Sequence, residues 1–325
     1  MNPILEWGIS LIAWLQASVP WLRGPMQFAS FLGSEEFFML LLPFLYWCVD
    51  ARLGARVGII LCISSNVNDL FKFAFHAPRP YWVSRQVQAM SSETSYGLPS
   101  GHAQHAMSIW GVIGTAGKGW LRWAMAAVIF LIGFSRIVLA VHFPTDVLLG
   151  WLIGGLVLWA FLRWEAPVLA WVNRHTLTQK IGLAFAASIL LVGIALAGLL
   201  FLPPSDPPEW ETTAALAYPP EPGQPAINPR DTGGAVGVAG VFFGLTTGLA
   251  LLFHQTSFEA RGKWWKRLLR FVLGAAGVLV LWMGLRQIFP RDTSLIAQTL
   301  RYLRYAVTGF WIGYGAPWLF IKLRL

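Results

Sequence analysis

The sequence predicts an all-α fold, a polytopic integral membrane helical bundle of about nine transmembrane helices. Three observations predict it. Of the 325 residues, 56% are hydrophobic and only 12% are charged, where a soluble domain carries roughly 25% charged residues. The mean hydropathy is +0.58, and apolar runs long enough to cross a bilayer recur along the chain. The chain also holds 18 Trp, a residue that favours the membrane–water interface. The net charge of +9 does not indicate a nucleic-acid partner. The basic residues sit in short loops between apolar runs, where they set topology and meet anionic headgroups of membrane lipids. Cys48 and Cys62 both fall in apolar runs and read as buried free thiols, not as a disulfide or a metal pair. The first residues lack a basic stretch, so no cleavable signal peptide is expected.

Residues 1–34 read as an N-terminal amphipathic, interfacial segment. Trp7, Leu11 and Trp14 share one helical face, with Glu6 and Gln16 elsewhere, which fits a membrane anchor without a further role. Residues 35–176 form the expected core. Its first spans lie near 35–49 and 53–75. The second is unusual in carrying Arg56, Asn66, Asn68, Asp69 and Lys72. An ionisable group inside a span costs about 2.5–3.5 kcal/mol on insertion scales and faces a polar interior. Lys72 therefore either pairs with Asp69, one turn away, or points into a site. Residues 76–98 are a polar loop, in which Pro78 and Pro80 hold Arg79 on a stiff extended segment. Further spans are expected at 102–117, 123–141 and 146–163. Residues 177–325 read as a C-terminal four-helix membrane extension, with spans near 181–202, 233–253, 268–289 and 305–321. Within it, 203–231 is rich in Pro and acids and too polar to be a span.

The chemistry gathers at one face of this bundle. Pro99-Ser100-Gly101-His102 opens a helix, whose free backbone N–H groups favour an anion. Lys72 and Arg79 precede it. Ser135, Arg136, His142 and Asp146 follow, at the junction of two spans. Each cluster lies at a helix end on the same side. Three fixed cations suit a phosphate dianion and the charge of its transition state. Two His divide nucleophilic and acid–base work, and a carboxylate four residues after His142 suits an orienting role. Ser135 lacks an assigned base and reads as structural. His105, one turn beyond His102, reads as packing and not as half of a metal site. Loops away from this face hold fourteen of the 24 basic residues, so the positive-inside rule puts the clusters on the extracytoplasmic (periplasmic or lumenal) face.

The three clusters resemble the signature of the type 2 phosphatidic acid phosphatase superfamily, which includes glucose-6-phosphatase and the vanadium haloperoxidases. The family pattern K-x6-RP, PSGH and SR-x5-H-x3-D reads here KFAFHAPRP (72–80), PSGH (99–102) and SRIVLAVHFPTD (135–146). The resemblance spans 72–146 directly and about 35–165 with flanking helices. It implies His142 as the nucleophile of a phosphohistidine, Asp146 as its orienting carboxylate and His102 as general acid. Lys72, Arg79, Ser100, Gly101 and Arg136 would bind phosphate, and the reaction would need no metal or cofactor. A phosphate monoester or pyrophosphate of a lipid, of phosphatidate, sphingoid or polyprenyl type, is the expected substrate, supported by Asp146, which the lipid phosphatases share. A sugar phosphate is the alternative, supported by NDLFKFAFHAPRPYWV (68–83), which looks like the corresponding stretch of glucose-6-phosphatase. A non-catalytic lipid-binding or transport protein is a third reading, disfavoured by the complete His–Asp–His set.

Overall fold

The computed structural model describes residues 3–220, 222, 224–290 and 292–325. The described residues form helices joined by turns and loops, without a strand. In chain order these are α1 (Pro3–Ser18), α2 (Arg23–Phe31), α3 (Glu35–Phe44), α4 (Ala51–Phe75), α5 (Pro80–Val83), α6 (Gly101–Thr115), α7 (Gly119–Val138), α8 (Pro144–Val172), α9 (Leu177–Ala197), α10 (Pro208–Ala217), α11 (Gly233–Gln255), α12 (Trp264–Ile288), α13 (Leu295–Phe310) and α14 (Ala316–Lys322). The helical contacts divide into two compact units. One comprises 1–37, 67–158 and 195–231, and the other 38–66, 159–194 and 232–325.

Among the described residues six helices are long and apolar enough to cross a membrane, or seven if the bent pair Pro20–Phe31 and Glu35–Val49 counts as one span. Nine were expected. The difference has a local cause. The α6 helix has 15 residues and α13 has 16, and at 1.5 Å per residue neither reaches across a ~30 Å hydrocarbon core alone. After α13 the helical ladder passes through a π turn at Trp311–Gly315 before α14 resumes it.

In the first unit, α1 is more than an anchor. Trp7 and Trp14 face outward, while Ile9, Ile12 and Leu15 enter a core with Tyr81, Trp82, Tyr96, Val138, Val141 and Phe143. Gln16, on the same helix, donates to the Gln88 and Val138 carbonyls at 2.8 and 3.2 Å and accepts from Gln88 N at 3.0 Å. One amide side chain thus ties α1 both to the 84–99 loop and to the end of α7. The 203–231 segment contains α10 and also belongs to this unit: Ala214 and Ala226 join the same core and Trp210 packs on Trp82. Its residues 221 and 223 lie outside the described residues.

Two glycines let α8 approach α6 closely enough to join two parts of the site. A Cβ on Gly150 would stand 2.7 Å from the Ser100 carbonyl oxygen, and one on Gly154 2.5 Å from that of Gln104. Through this approach Ser100 N donates to the Asp146 carbonyl at 3.0 Å, and Ser108 Oγ to that of Gly154 at 3.3 Å.

In the second unit the core holds Tyr46, Trp47, Leu245, Leu252, Ile312 and Phe320. Tyr46 and Trp47 donate to the carbonyls of Gly313 and Ile312, each at 3.1 Å. Both carbonyls lie within the π turn, where Pro317 just beyond it cannot donate an N–H, and two buried donors meet them there. Both cysteines are buried free thiols, as their apolar settings predict.

Gly150→Val should therefore push α6 and α8 apart. Overpacking of this kind costs about 1–3 kcal/mol. The expected outcome is a lower thermal unfolding midpoint together with a fall in kcat. An unchanged midpoint and unchanged kcat would show that the approach is not needed.

Candidate active site

The first unit brings all eight residues singled out from the sequence to the same neighbourhood, from four helix ends and one extended segment. Arg79 is its hub. Pro80 starts α5, and Arg79 stays extended (φ −93°, ψ 159°) as the N-cap, since a residue before Pro avoids the helical region. Its guanidinium has no solvent exposure. It makes five hydrogen bonds: Nε to Ser95 O at 2.7 Å, Nη1 to Val141 O and His142 Nε2 at 3.0 Å each, and Nη2 to Ser95 Oγ at 3.1 Å and Tyr96 O at 3.2 Å. The buried cation is thereby satisfied by loop carbonyls instead of a single carboxylate.

His142 sits in the turn between α7 and α8, outside both spans, and is 1% exposed. An arginine N–H can only donate, so Nε2 of His142 accepts from Arg79 and carries a lone pair. The proton then belongs on Nδ1, which faces Asp146 Oδ2 at 3.3 Å. The same carboxylate oxygen accepts from Phe143 N at 2.8 Å, the first-turn bond that Pro144 at the start of α8 cannot supply. Burial first, then the Arg79 and Arg136 cations, hold the His142 imidazole well below its ordinary pKa of 6.5. Neutral His142 with a fixed tautomer is the form a nucleophile needs.

Arg136, in the last turn of α7, donates from Nη1 to Ser30 Oγ of α2 and from Nη2 to Glu93 Oε1. Its Nε is buried and makes no hydrogen bond among the described residues. Lys72 at the end of α4 donates to Ser95 Oγ at 2.6 Å, the hydroxyl that Arg79 also reaches. Of the two fates open to Lys72 from its sequence, the side chain takes the one directed into the site. Ser100 caps α6, its Oγ accepting from Ala103 N at 3.4 Å. Gly101 leaves room for the Asn68 side chain, whose Oδ1 would lie 3.2 Å from a Cβ there; Asn68 in turn donates to Gln104 at 2.9 Å. Ser135 donates back to Ile132 O at 2.6 Å, a structural bond as expected.

The residue that sequence reasoning missed is Glu93. Beyond its bond with Arg136, its Oε2 lies 3.9 Å from Arg79 Nη2 and its Oε1 4.0 Å from His102 Nδ1. Burial pushes its carboxyl up, but Arg136, Arg79 and His102 outweigh that and hold it well below the usual carboxylate range. A signal did exist: Glu93 is the sole acid between Asp69 and Asp146, in a stretch that carries six Lys and Arg. Tyr81 fixes its backbone, donating to Glu93 O at 2.8 Å and accepting from Glu93 N at 3.0 Å. The 203–231 segment braces the same loop. Asn228 N donates to Thr94 O at 2.9 Å, and Tyr96 donates to Asp206 at 2.7 Å, which also accepts from Arg230 at 2.7 Å.

Comparison with known proteins points to one family. Residues 53–170 match the PAP2 superfamily, and residues 236–325 match the transmembrane extension of PAP2 superfamily phosphatases. The chain is 26% identical to glucose-6-phosphatase 3 of Bos taurus, over 98% of this chain and 96% of that protein. It is 32% identical to sphingosine-1-phosphate phosphatase 2 of Mus musculus, over 39% and 38%. Among solved structures it is similar to a PAP2-type phosphatidylglycerolphosphate phosphatase from Bacillus subtilis, at 22% identity and a TM-score of 0.44, covering 52% of this chain and 89% of that one.

Two outcomes are expected from the His142 environment. Asp146→Asn should release the tautomer and lower kcat on the order of 10²–10⁴-fold with little change in KM, measured by steady-state kinetics. Because the folded protein holds His142 below 6.5 while the unfolded chain does not, the unfolded state binds the extra proton below pH 6.5 and stability falls as pH drops through that range. His142→Gln should flatten this dependence of the unfolding midpoint without substrate present. An unaltered slope would deny His142 its neutral state.

Proposed function

The chain belongs to the PAP2 superfamily, and from that premise we propose that it is a multi-pass membrane phosphatase that hydrolyses a phosphate monoester through a phosphohistidine on His142. The observation that carries this reading is the pair of contacts on the His142 ring, Nδ1 to Asp146 and Nε2 to Arg79. They aim a lone pair at the cation that would hold a phosphate oxygen.

In the proposed reaction the phosphate takes N–H groups from Arg79 and Arg136, with Lys72 and the α6 N-terminus at Ser100 and Gly101 adding positive charge. A phosphate oxygen replaces His142 on Arg79 Nη1 and frees the Nε2 lone pair. Nε2 attacks phosphorus, the P–O bond to the leaving alcohol breaks, and His102 gives that oxygen its proton. A water then loses a proton to His102 and attacks the phosphohistidine. The P–N bond breaks, inorganic phosphate leaves, and the lone pair returns to Nε2. The three side-chain cations offset the charge of the five-coordinate transition state, the part a metal plays in other phosphatases.

A water-soluble sugar phosphate such as glucose 6-phosphate is the substrate class favoured here. The likeness to glucose-6-phosphatase 3 runs the whole length of both chains, including the C-terminal extension, whereas the likeness to the sphingosine-1-phosphate phosphatase covers 39% of this chain. That reverses the order drawn from the sequence alone, where Asp146 put a lipid phosphate first. The catalysis itself is common to both readings. The basic loops support an extracytoplasmic site, and the bonds from Asn228 and Asp206 to the site loop support a role for 203–231 in shaping access.

The decisive assay is phosphate release by the purified full-length protein in chelator. The panel is glucose 6-phosphate, phosphatidate, a sphingoid phosphate and a polyprenyl pyrophosphate at matched concentration. The highest kcat/KM is expected on the sugar phosphate, with inhibition by vanadate. His142→Ala should abolish turnover. Tenfold preference for a lipid would restore the lipid reading, and unchanged turnover by His142→Ala would remove the assigned nucleophile.

A further inference from the structure

Glu93 is the unexpected occupant of the site. Its carboxylate bonds to Arg136, lies 3.9 Å from Arg79 and stands 4.0 Å from His102. These are two of the phosphate-binding cations and the general acid of the reading above, on which this inference rests. A carboxylate offers a guanidinium the same planar pair of acceptors as two oxygens of a phosphate. Both anions cannot occupy the same donors, since like charges this close repel strongly at low dielectric.

Burial says which group can give way. Glu93 keeps 25% of its side-chain surface exposed, whereas Arg79 keeps none and Arg136 keeps 2%. Of the three groups, the carboxylate is the one that solvent reaches. The motion required is small. Tyr81 pins the Glu93 backbone by both its N–H and its carbonyl, and Asn228 holds the neighbouring Thr94. A swing of the side chain about a fixed backbone is enough. Finally, Arg136 Nε is buried with no hydrogen bond among the described residues. A buried donor left over is uncommon and marks a place for a further acceptor. Glu93 leaves it unused, and a tetrahedral oxyanion has more oxygens to offer.

We infer that Glu93 is a resident counter-ion that fills the anion site when it is empty, and that the substrate phosphate displaces it from Arg136 and Arg79. Glu93 thereby competes with every ligand of the site. It favours doubly charged tetrahedral oxyanions, which repay the displaced bonds, over singly charged or neutral groups, which do not. It also keeps two buried guanidinium groups paired between turnovers.

The test is direct binding of inorganic phosphate and orthovanadate to the detergent-solubilised full chain, by calorimetry, in wild type, Glu93→Gln and Glu93→Asp. Glu93→Gln removes the competing charge and should bind phosphate at least tenfold more tightly. Glu93→Asp keeps the charge on a shorter arm and should fall between the two. The inhibition constant for phosphate and KM should drop together. Equal or weaker phosphate binding by a Glu93→Gln protein that unfolds at the wild-type temperature would overturn the inference and make Glu93 a support for Arg136. If Glu93→Gln does not fold, Glu93→Asp decides by the same criterion. Wild-type protein that binds phosphate, with the expected gain in the variants, but hydrolyses no monoester would sink the proposed function and leave this inference standing. Turnover with no gain in the variants would do the reverse.

Discussion

Burying a guanidinium is what the first unit is organised to do. Arg79 has five N–H donors and five acceptors, drawn from Ser95, Tyr96, Val141 and His142. An unmatched donor at this depth would cost about 1–3 kcal/mol. The 84–99 loop and the α7–α8 turn are therefore held by the same side chain, and neither can move without exposing an orphan. Because all five acceptors are uncharged, Arg79 keeps most of its positive charge available. A cation that is fully hydrogen-bonded to neutral groups, with its nearest carboxylate, Glu93, held off at 3.9 Å, is well suited to attract a phosphate.

That arrangement explains why so much of the site is legible in three short motifs and why one part is not. Lys72, Arg79, His102, Arg136, His142 and Asp146 work through local constraints: a helix end, a segment stiffened by Pro78 and Pro80, an N-cap at Ser100 and a first-turn carboxylate. Each leaves a fixed spacing. Glu93 works through distance in sequence. It meets Arg136 across 43 positions, from a polar loop whose Ser and Thr neighbours make a solvated acid the ordinary reading. Ser30 reaches Arg136 from 106 positions away, on a helix that reads as an anchor. Pairings of this kind leave no periodicity. Only the scarcity of acids between Asp69 and Asp146 sets Glu93 apart.

The helical class was legible from hydropathy, but the number of spans was not. Hydropathy windows register apolar length and are blind to where the ladder breaks. Trp311–Gly315 is as apolar as its neighbours, yet it forms a π turn, and Tyr46 and Trp47 donate to two of its carbonyls. The 203–231 segment shows the converse. Its Pro and acids keep it out of the candidate spans, but Ala214, Ala226 and Trp210 give it an apolar side that packs within the first unit. Polar composition ruled it out as a span and concealed its contacts.

The two anions closest to the histidines have opposite tasks, and their surroundings separate them. Asp146 accepts from the Phe143 backbone, faces His142 Nδ1 and is 4% exposed. It is locked in place by α8, so it can orient but cannot leave. Glu93 is held by side chains alone at its carboxylate, on a loop, with a quarter of its surface open. It can leave without disturbing a helix. A site that must hold three cations without a bound anion needs one negative group that is fixed and one that is exchangeable. On the proposed reading the fixed group sets the proton on His142, and the exchangeable one keeps Arg136 paired while the site is empty.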